Sequence, residues 1–396
     1  SKMSLKDMKT KILLLLLLCG NSLFAQQQAL LDSVPFLLRD HMYVNVEGEH
    51  GYVFDTGASR NLVFDESISH PNQITTKPLR VIGVAGVQEL KQLQQPFDFV
   101  LGNKTLHFPT AIQMDLRSMS GCHANGLLGL CDLTENRLMI NFQHSFLKEL
   151  PLDAPIPEGY VKLPLRVENN LQVKVSGQIG KKNFNGWFVI DTDSGTAISF
   201  TAAATRKLGL EKLDLPKTIY DVIQMGIGDS LSWAIQLPTA FIKLGDTSVE
   251  HLLAACSPDG KGALGKTRKW GLIGLDLLKN FNLIIDVPHH CLYVKAFREA
   301  PLKKPTFGVG VRNRIDVSDA WIAASLARNG VAARAGLCLG DSIIAINGKN
   351  VRDYLWADEE AVFLSDTLNL TVRPYCPTPA SSLPALKQIR LIRPKF

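Results

Sequence analysis

Apolar and polar residues alternate over short runs along most of the chain, as in Leu171-Gln172-Val173-Lys174-Val175-Ser176-Gly177. A period of two is that of a β-strand with one buried face. Helical spacing is confined to brief stretches such as Thr201 to Leu208. The pattern therefore predicts all-β sandwich or barrel-like units carrying a few helices. Two proline-rich stretches, Pro151-Leu152-Asp153-Ala154-Pro155-Ile156-Pro157-Glu158-Gly159 and Pro301-Leu302-Lys303-Lys304-Pro305, interrupt the alternation and mark boundaries.

Two of the predicted strands end alike. Tyr52-Val53-Phe54 runs into Asp55-Thr56-Gly57-Ala58-Ser59, and Phe188-Val189-Ile190 runs into Asp191-Thr192-Asp193-Ser194-Gly195-Thr196. Roughly 70 and 80 residues later come Gly126-Leu127-Leu128-Gly129 and Gly271-Leu272-Ile273-Gly274. Each is followed by a further apolar strand, Arg137-Leu138-Met139-Ile140-Asn141-Phe142 and Asn282-Leu283-Ile284-Ile285-Asp286-Val287. The chain thus carries two copies of one lobe, expected over 26–155 and 156–300, each holding an aspartate in the equivalent place. Two facing carboxylates that share a proton can take one from water and give one to a carbonyl oxygen.

These elements resemble the pepsin and retropepsin superfamily, in which each lobe carries a hydrophobic-Asp-Thr-Gly motif and, later, two hydrophobics and a glycine. The order of parts is similar to that of secreted bacterial aspartyl-protease-like proteins with a C-terminal PDZ domain. The resemblance implies a mainly β, bilobal pepsin-like fold of two retropepsin-like lobes, with Asp55 and Asp191 flanking a bridging water. It implies that Thr56 and Thr192 tie the two loops together, that Gly57 brings a backbone N–H to the carboxylate, and that the Ser194 hydroxyl donates to Asp191. A hairpin over the cleft is expected at Ile82-Gly83-Val84-Ala85-Gly86-Val87, without the tyrosine of pepsin. Asp193 departs from the pattern by replacing the second glycine. Facing inward, it would raise the proton affinity of the pair further. Facing solvent, it would leave the chemistry intact. The implied activity is that of an aspartic endopeptidase; the alternative is an inactive pseudopeptidase that serves as a peptide-binding scaffold.

The run Asn329-Gly330-Val331-Ala332-Ala333-Arg334-Ala335-Gly336, continuing through Gly340-Asp341-Ser342-Ile343-Ile344-Ala345-Ile346 to Asn347-Gly348, resembles the helix, turn and strand of a bacterial PDZ domain, here expected over 301–396. Phe307-Gly308-Val309-Gly310 is the corresponding candidate loop for a peptide carboxylate. A domain that packs on the lobes and binds nothing is the other outcome.

Composition narrows the field. The 396 residues predict two or three domains, and 46% apolar with 20% charged residues is globular. A formal net charge of +6, without basic clusters among aromatics, gives nucleic-acid binding no support. Residues 1–25 read as a signal peptide, with basic Met8-Lys9-Thr10-Lys11, apolar Ile12 to Leu18, and a cleavage site in Asn21-Ser22-Leu23-Phe24-Ala25. Export to a periplasm or beyond follows, and Leu18 argues against a lipoprotein anchored at Cys19. No later segment reaches about 18 uninterrupted apolar residues, so no transmembrane helix is expected. None of Cys122, Cys131, Cys256, Cys291, Cys338 and Cys376 forms a C-x-x-C pair, and no metal or cofactor is expected. Cys122 and Cys131 are candidates for a bridge, although buried thiols are the reading the pattern favours. His123, His289 and His290 are expected at the surface or in loops. With both lobes in one chain, a monomer acting on a peptide or unfolded protein is expected.

Overall fold

In the computed structural model, the strand His50–Asp55 carries Asp55 at its end and lies parallel to Ala124–Gly129, with Leu127 opposite Val53 and Gly129 opposite Asp55. Ala124–Gly129 also pairs antiparallel with Leu62–Asp65, so it runs between the two strands that bracket the Asp55 loop. The second lobe repeats this. Lys182–Ile190 leads into Asp191, Gly271–Ile273 pairs with it in parallel, and the same short strand pairs antiparallel with Ile198–Phe200. Described residues are 29–58, 61–70, 76–83, 86–223, 231–260, 262–265, 269–314, 319–375 and 384–395. The segment 1–25 read as a signal peptide, Cys19 and Cys376 lie outside them.

A six-stranded antiparallel sheet joins the lobes. At its centre Arg137–Asn141 pairs with Phe281–Asp286, placing Met139 opposite Ile284. Phe146–Leu150 with Val34–Pro35 flanks one side, and Cys291–Ala296 with Val161–Val167 the other. Leu138, Ile140, Leu283 and Ile285 are fully buried there, each worth about 1.5–3 kcal/mol of apolar burial. Arg137 Nε donates to Asp286 Oδ2 at 2.7 Å across the junction. The two lobes therefore share one apolar core rather than meeting as separate bodies. The helix expected from Thr201 forms over Ala202–Leu208, with the Thr201 side chain accepting from Ala204 N–H at 3.2 Å as its N-cap.

The C-terminal domain has its own core, centred on Trp321, Ile343, Ile346, Leu368, Leu370 and Val372. Its hairpin turn falls at Asn347-Gly348, where φ is 51° and 79°, the double left-handed conformation that an Asn-Gly turn supplies. The domain is docked on both lobes. Its strand Ala320–Ala327 pairs antiparallel with Thr218–Ile223 of the second lobe, and Arg328 grips Asp221 through two bonds of 2.9 and 2.7 Å. On the other side Trp356, from the helix Trp356–Val362, sits in an apolar cluster with Tyr43, Val53 and Leu127 of the first lobe. The molecule is thus mainly β, with two like lobes and a packed C-terminal domain.

His123 lies in a loop, as expected, but is only 6% exposed, because it is wedged between the first lobe and the C-terminal domain. Cys122 is a buried free thiol, the reading the pattern favours over a bridge to Cys131, whereas Cys338 is exposed.

Candidate active site

Each Asp-Thr turn is held by the other. The Thr56 N–H donates to Thr192 Oγ1 at 3.1 Å and the Thr192 N–H to Thr56 Oγ1 at 3.1 Å. The Thr56 hydroxyl donates to the Ile190 carbonyl at 2.8 Å, and the Thr192 hydroxyl to the Phe54 carbonyl at 2.6 Å. Both threonines are fully buried, so these four bonds form away from competing water. They fix the separation of Asp55 and Asp191.

The Gly57 N–H donates to Asp55 Oδ1 at 2.7 Å. A Cβ at Gly57 would stand 3.0 Å from that oxygen, 3.1 Å from Asp191 Cγ and 3.3 Å from Asp191 Oδ2. Both carboxylates therefore converge on one bare stretch of backbone, which only glycine leaves open. Behind them, a Cβ on Gly129 would overlap the Ala58 carbonyl, and one on Gly274 the Ser194 carbonyl. The Gly-flanked apolar strands are the supports against which both aspartate turns rest.

Burial and like charge act together on the pair. Burial raises the Asp55 pKa well above the ordinary carboxylate range, the Asp191 and Asp193 carboxylates push it further, and the Gly57 and Ala58 N–H groups pull against them. Asp191 is raised by burial and by Asp193, and held back by the Asp193 and Ser194 N–H groups and by the positive charge of His41. Two such carboxyls lose their protons in separate steps, so over an intermediate range the pair holds one.

Asp193 keeps the backbone role of the missing glycine: its N–H donates to Asp191 Oδ1 at 3.0 Å. Its carboxylate turns to His41, whose Nδ1 stands 2.8 Å from Asp193 Oδ1 and 3.1 Å from the Asp193 carbonyl. One ring hydrogen cannot be directed well at both oxygens, so the carboxylate contact is chiefly ionic. Burial works against charge on His41, but Asp40 and Asp193 outweigh it and raise the pKa to about 10. Asp40 is fixed in turn by the Tyr43 hydroxyl, which donates at 3.1 Å. Ser194 differs from expectation. Its N–H reaches Asp191 Oδ1 at 3.1 Å, while its hydroxyl pairs with Thr196 Oγ1 at 2.9 Å.

The carboxylates open into a cavity of about 350 Å³ between the lobes. One wall is apolar, with Val63, Leu90, Ile112, Met119 and Leu127 from the first lobe, and Leu272 faces them from the second. Over it lies the hairpin of Thr76–Gly83 and Gly86–Leu93, whose glycines approach Gly262 of the second lobe so closely that a Cβ there would overlap them. Val84 and Ala85 lie outside the described residues. Ile82, 69% exposed, and Val87, 45% exposed, sit beside that turn. Such a slot accepts apolar side chains of an extended chain.

In the C-terminal domain Phe307 is buried in the core, and Gly308, at φ +76°, accepts from the Ala327 N–H at 2.7 Å. Val309 and Gly310 pair with Leu326 and Ser325. The groove between the strand Val309–Arg314 and the helix Trp356–Val362 meets the first lobe: the Cys122 N–H donates to the Asn313 carbonyl at 2.9 Å, and the His123 ring stacks on Trp356 at 4.3 Å. This domain and the dyad are linked through Tyr43, which touches Asp40 and packs edge-on against Trp356 at 4.7 Å. His41 and Trp356 carry no signal in the sequence, because their partners lie far away along the chain.

A family model of the PDZ domain matches residues 322–358. Among solved structures, the chain is similar to the aspartic proteinase from Irpex lacteus at 13% identity and a TM-score of 0.39, over 69% of this chain and 98% of that one. Comparison with curated proteins gives no match.

Proposed function

We propose that the protein is an aspartic-type endopeptidase, with Asp55 and Asp191 as the catalytic pair. The observation that carries this reading is the reciprocal bonding of Thr56 and Thr192, which holds two buried carboxyls of raised pKa against one glycine at the floor of a covered cleft. With one proton on the pair, the ionised carboxylate takes a proton from water as its oxygen attacks a peptide carbonyl carbon. The protonated partner gives its proton to the carbonyl oxygen. The resulting diol collapses as a proton passes to the departing nitrogen, and the pair returns to its starting state. No metal or cofactor enters this scheme. The apolar cleft walls favour an extended peptide or unfolded protein as substrate. One chain supplies both aspartates, so a monomer suffices, and the signal-peptide reading of 1–25 supports work at the cell exterior or in a periplasm.

Asp193 motivates the rival reading, a pseudopeptidase. Its contact with His41 weighs against that rival, since the third carboxylate is drawn toward a cation that offsets part of its charge while its N–H still serves Asp191. The test is cleavage of an unfolded protein at mildly acidic pH. Asp55→Asn is expected to reduce it about 10²–10⁴-fold, the scale of a lost acid–base group. Equal cleavage by the variant, or none by the wild type at any pH from acid to neutral, would overturn the assignment.

A further inference from the structure

Where the C-terminal domain meets the first lobe, three side chains with different donor atoms converge. Cys122 and His123 come from the loop that precedes the strand Ala124–Gly129, and Glu359 comes from the helix Trp356–Val362. Their ligand atoms all lie within 4.8 Å of one another. Cys122 and His123 are 9% and 6% exposed, and the Glu359 side chain 13%.

Two of these groups are oriented from behind, as metal ligands are. His123 Nδ1 faces the Glu49 carbonyl at 2.5 Å, which fixes the hydrogen on Nδ1 and turns Nε2 to Glu359 Oε1, 2.9 Å away. The ring lies flat on Trp356, with 11° between the planes, so it cannot turn. The far oxygen of Glu359 accepts from Asn313 Nδ2 at 2.6 Å, leaving the near one directed at the cluster. Asn313 also holds the Cys122 backbone, through its carbonyl at 2.9 Å and its side-chain oxygen at 3.2 Å. A backbone carbonyl behind the imidazole and an amide behind the carboxylate are the outer partners that set ligands around a metal.

We propose that Cys122, His123 and Glu359 form a zinc site that clamps the C-terminal domain to the first lobe. Thiolate, imidazole and carboxylate together suit Zn²⁺, and three protein ligands leave a fourth position for water. On binding, the thiol proton and any proton between Nε2 and Glu359 pass to solvent, and the cation takes their place. The site is invisible to sequence spacing because its halves stand 236 residues apart.

The test uses the full chain, reduced, in a Cys338→Ser background that removes the thiol exposed among the described residues. After equilibration with zinc and dialysis, metal analysis should find one zinc per chain. Cobalt(II) should give a thiolate charge-transfer band in the near ultraviolet. Cys122→Ala should abolish that band and lower zinc affinity at least about tenfold. Glu359→Gln, which keeps the shape of the side chain, should weaken affinity while the band persists at saturating cobalt. Near-ultraviolet circular dichroism checks that each variant is folded. A parent protein that retains no zinc and shows no band, or a Cys122→Ala variant that keeps both, overturns the proposal.

Discussion

His41 Nδ1 stands 2.8 Å from Asp193 Oδ1, a contact bridging 152 residues, and it directs the third carboxylate of the dyad region toward a cation. Since His41 titrates at about 10, that cation is present throughout the acid and neutral range.

The two partners should therefore shift the pH dependence of cleavage in opposite directions. His41→Gln removes a charge that favours ionised Asp191, so both ionisations of the pair move up and the optimum moves to higher pH. Asp193→Gly removes a negative neighbour of both aspartates, so the optimum moves down. The profile of kcat/KM against pH reads this for the free enzyme. Shifts in the same direction, or none in either variant, would refute the electrostatic role given to this pair. Cutting by Asp193→Gly alone would identify the natural chain as a pseudoenzyme.

The bonds between Thr56 and Thr192 predict coupling. Thr56→Ala leaves the buried Thr192 N–H without its acceptor, at about 1–3 kcal/mol. Thr192→Ala does the same to Thr56. The two substitutions remove different bonds of one joint; once the first has loosened that joint, the bonds removed by the second are worth less, so the double variant should lose less than the sum of the singles, and serine at either position should restore most of it. Urea unfolding of the four proteins measures this; strict additivity would show that the two turns do not depend on each other.

Much of this site was legible in the sequence, and what escaped has one physical cause. Asp55, Asp191 and both Gly-flanked strands announce themselves because duplication writes the same local physics twice: an apolar strand, a carboxylate turn, and a glycine where backbone presses on backbone. The Thr201 cap and the Asn347-Gly348 turn are likewise local. His41, Trp356 and Glu359 act only on partners brought to them by folding, so no spacing pattern reveals them. His123 lies in a loop as the sequence suggests, but its burial was not legible for the same reason: a loop histidine looks exposed until another domain covers it. Ser194 failed differently, since Thr196 competes for its hydroxyl at 2.9 Å.

Trp356 anchors the C-terminal domain to the first lobe, with its backbone N–H donating to Glu49 Oε2 at 2.6 Å and its ring, the part an alanine would remove, against Tyr43 and His123. Trp356→Ala should cost about 3–5 kcal/mol of docking and packing. The domain keeps its own core around Trp321 and Leu370, so it should remain folded while held through Thr218–Ile223 and the bonds that Asn313 and Glu359 make to the first lobe. Urea unfolding followed by tryptophan fluorescence should then separate into two transitions. A single transition at the wild-type midpoint would mean that the contact contributes nothing.

The dyad also predicts a stability cost that depends on pH. Asp55 is raised above its unfolded value by burial and by its neighbours. Between the unfolded and folded pKa values the native state holds a proton that the unfolded chain has released, so stability falls as pH rises through that window. Below the unfolded value, near 3.9 for an aspartate, both states are protonated and the cost disappears. Asp55→Asn removes the ionisation while its side-chain oxygen still accepts from Gly57. It should therefore raise the melting temperature near neutral pH, by about 1–3 kcal/mol of stability, and change it little at acid pH. Thermal scans of both proteins across this range decide the matter. A variant destabilised equally at every pH would mean that the aspartate is held as a structural acceptor rather than as a strained acid poised to exchange a proton.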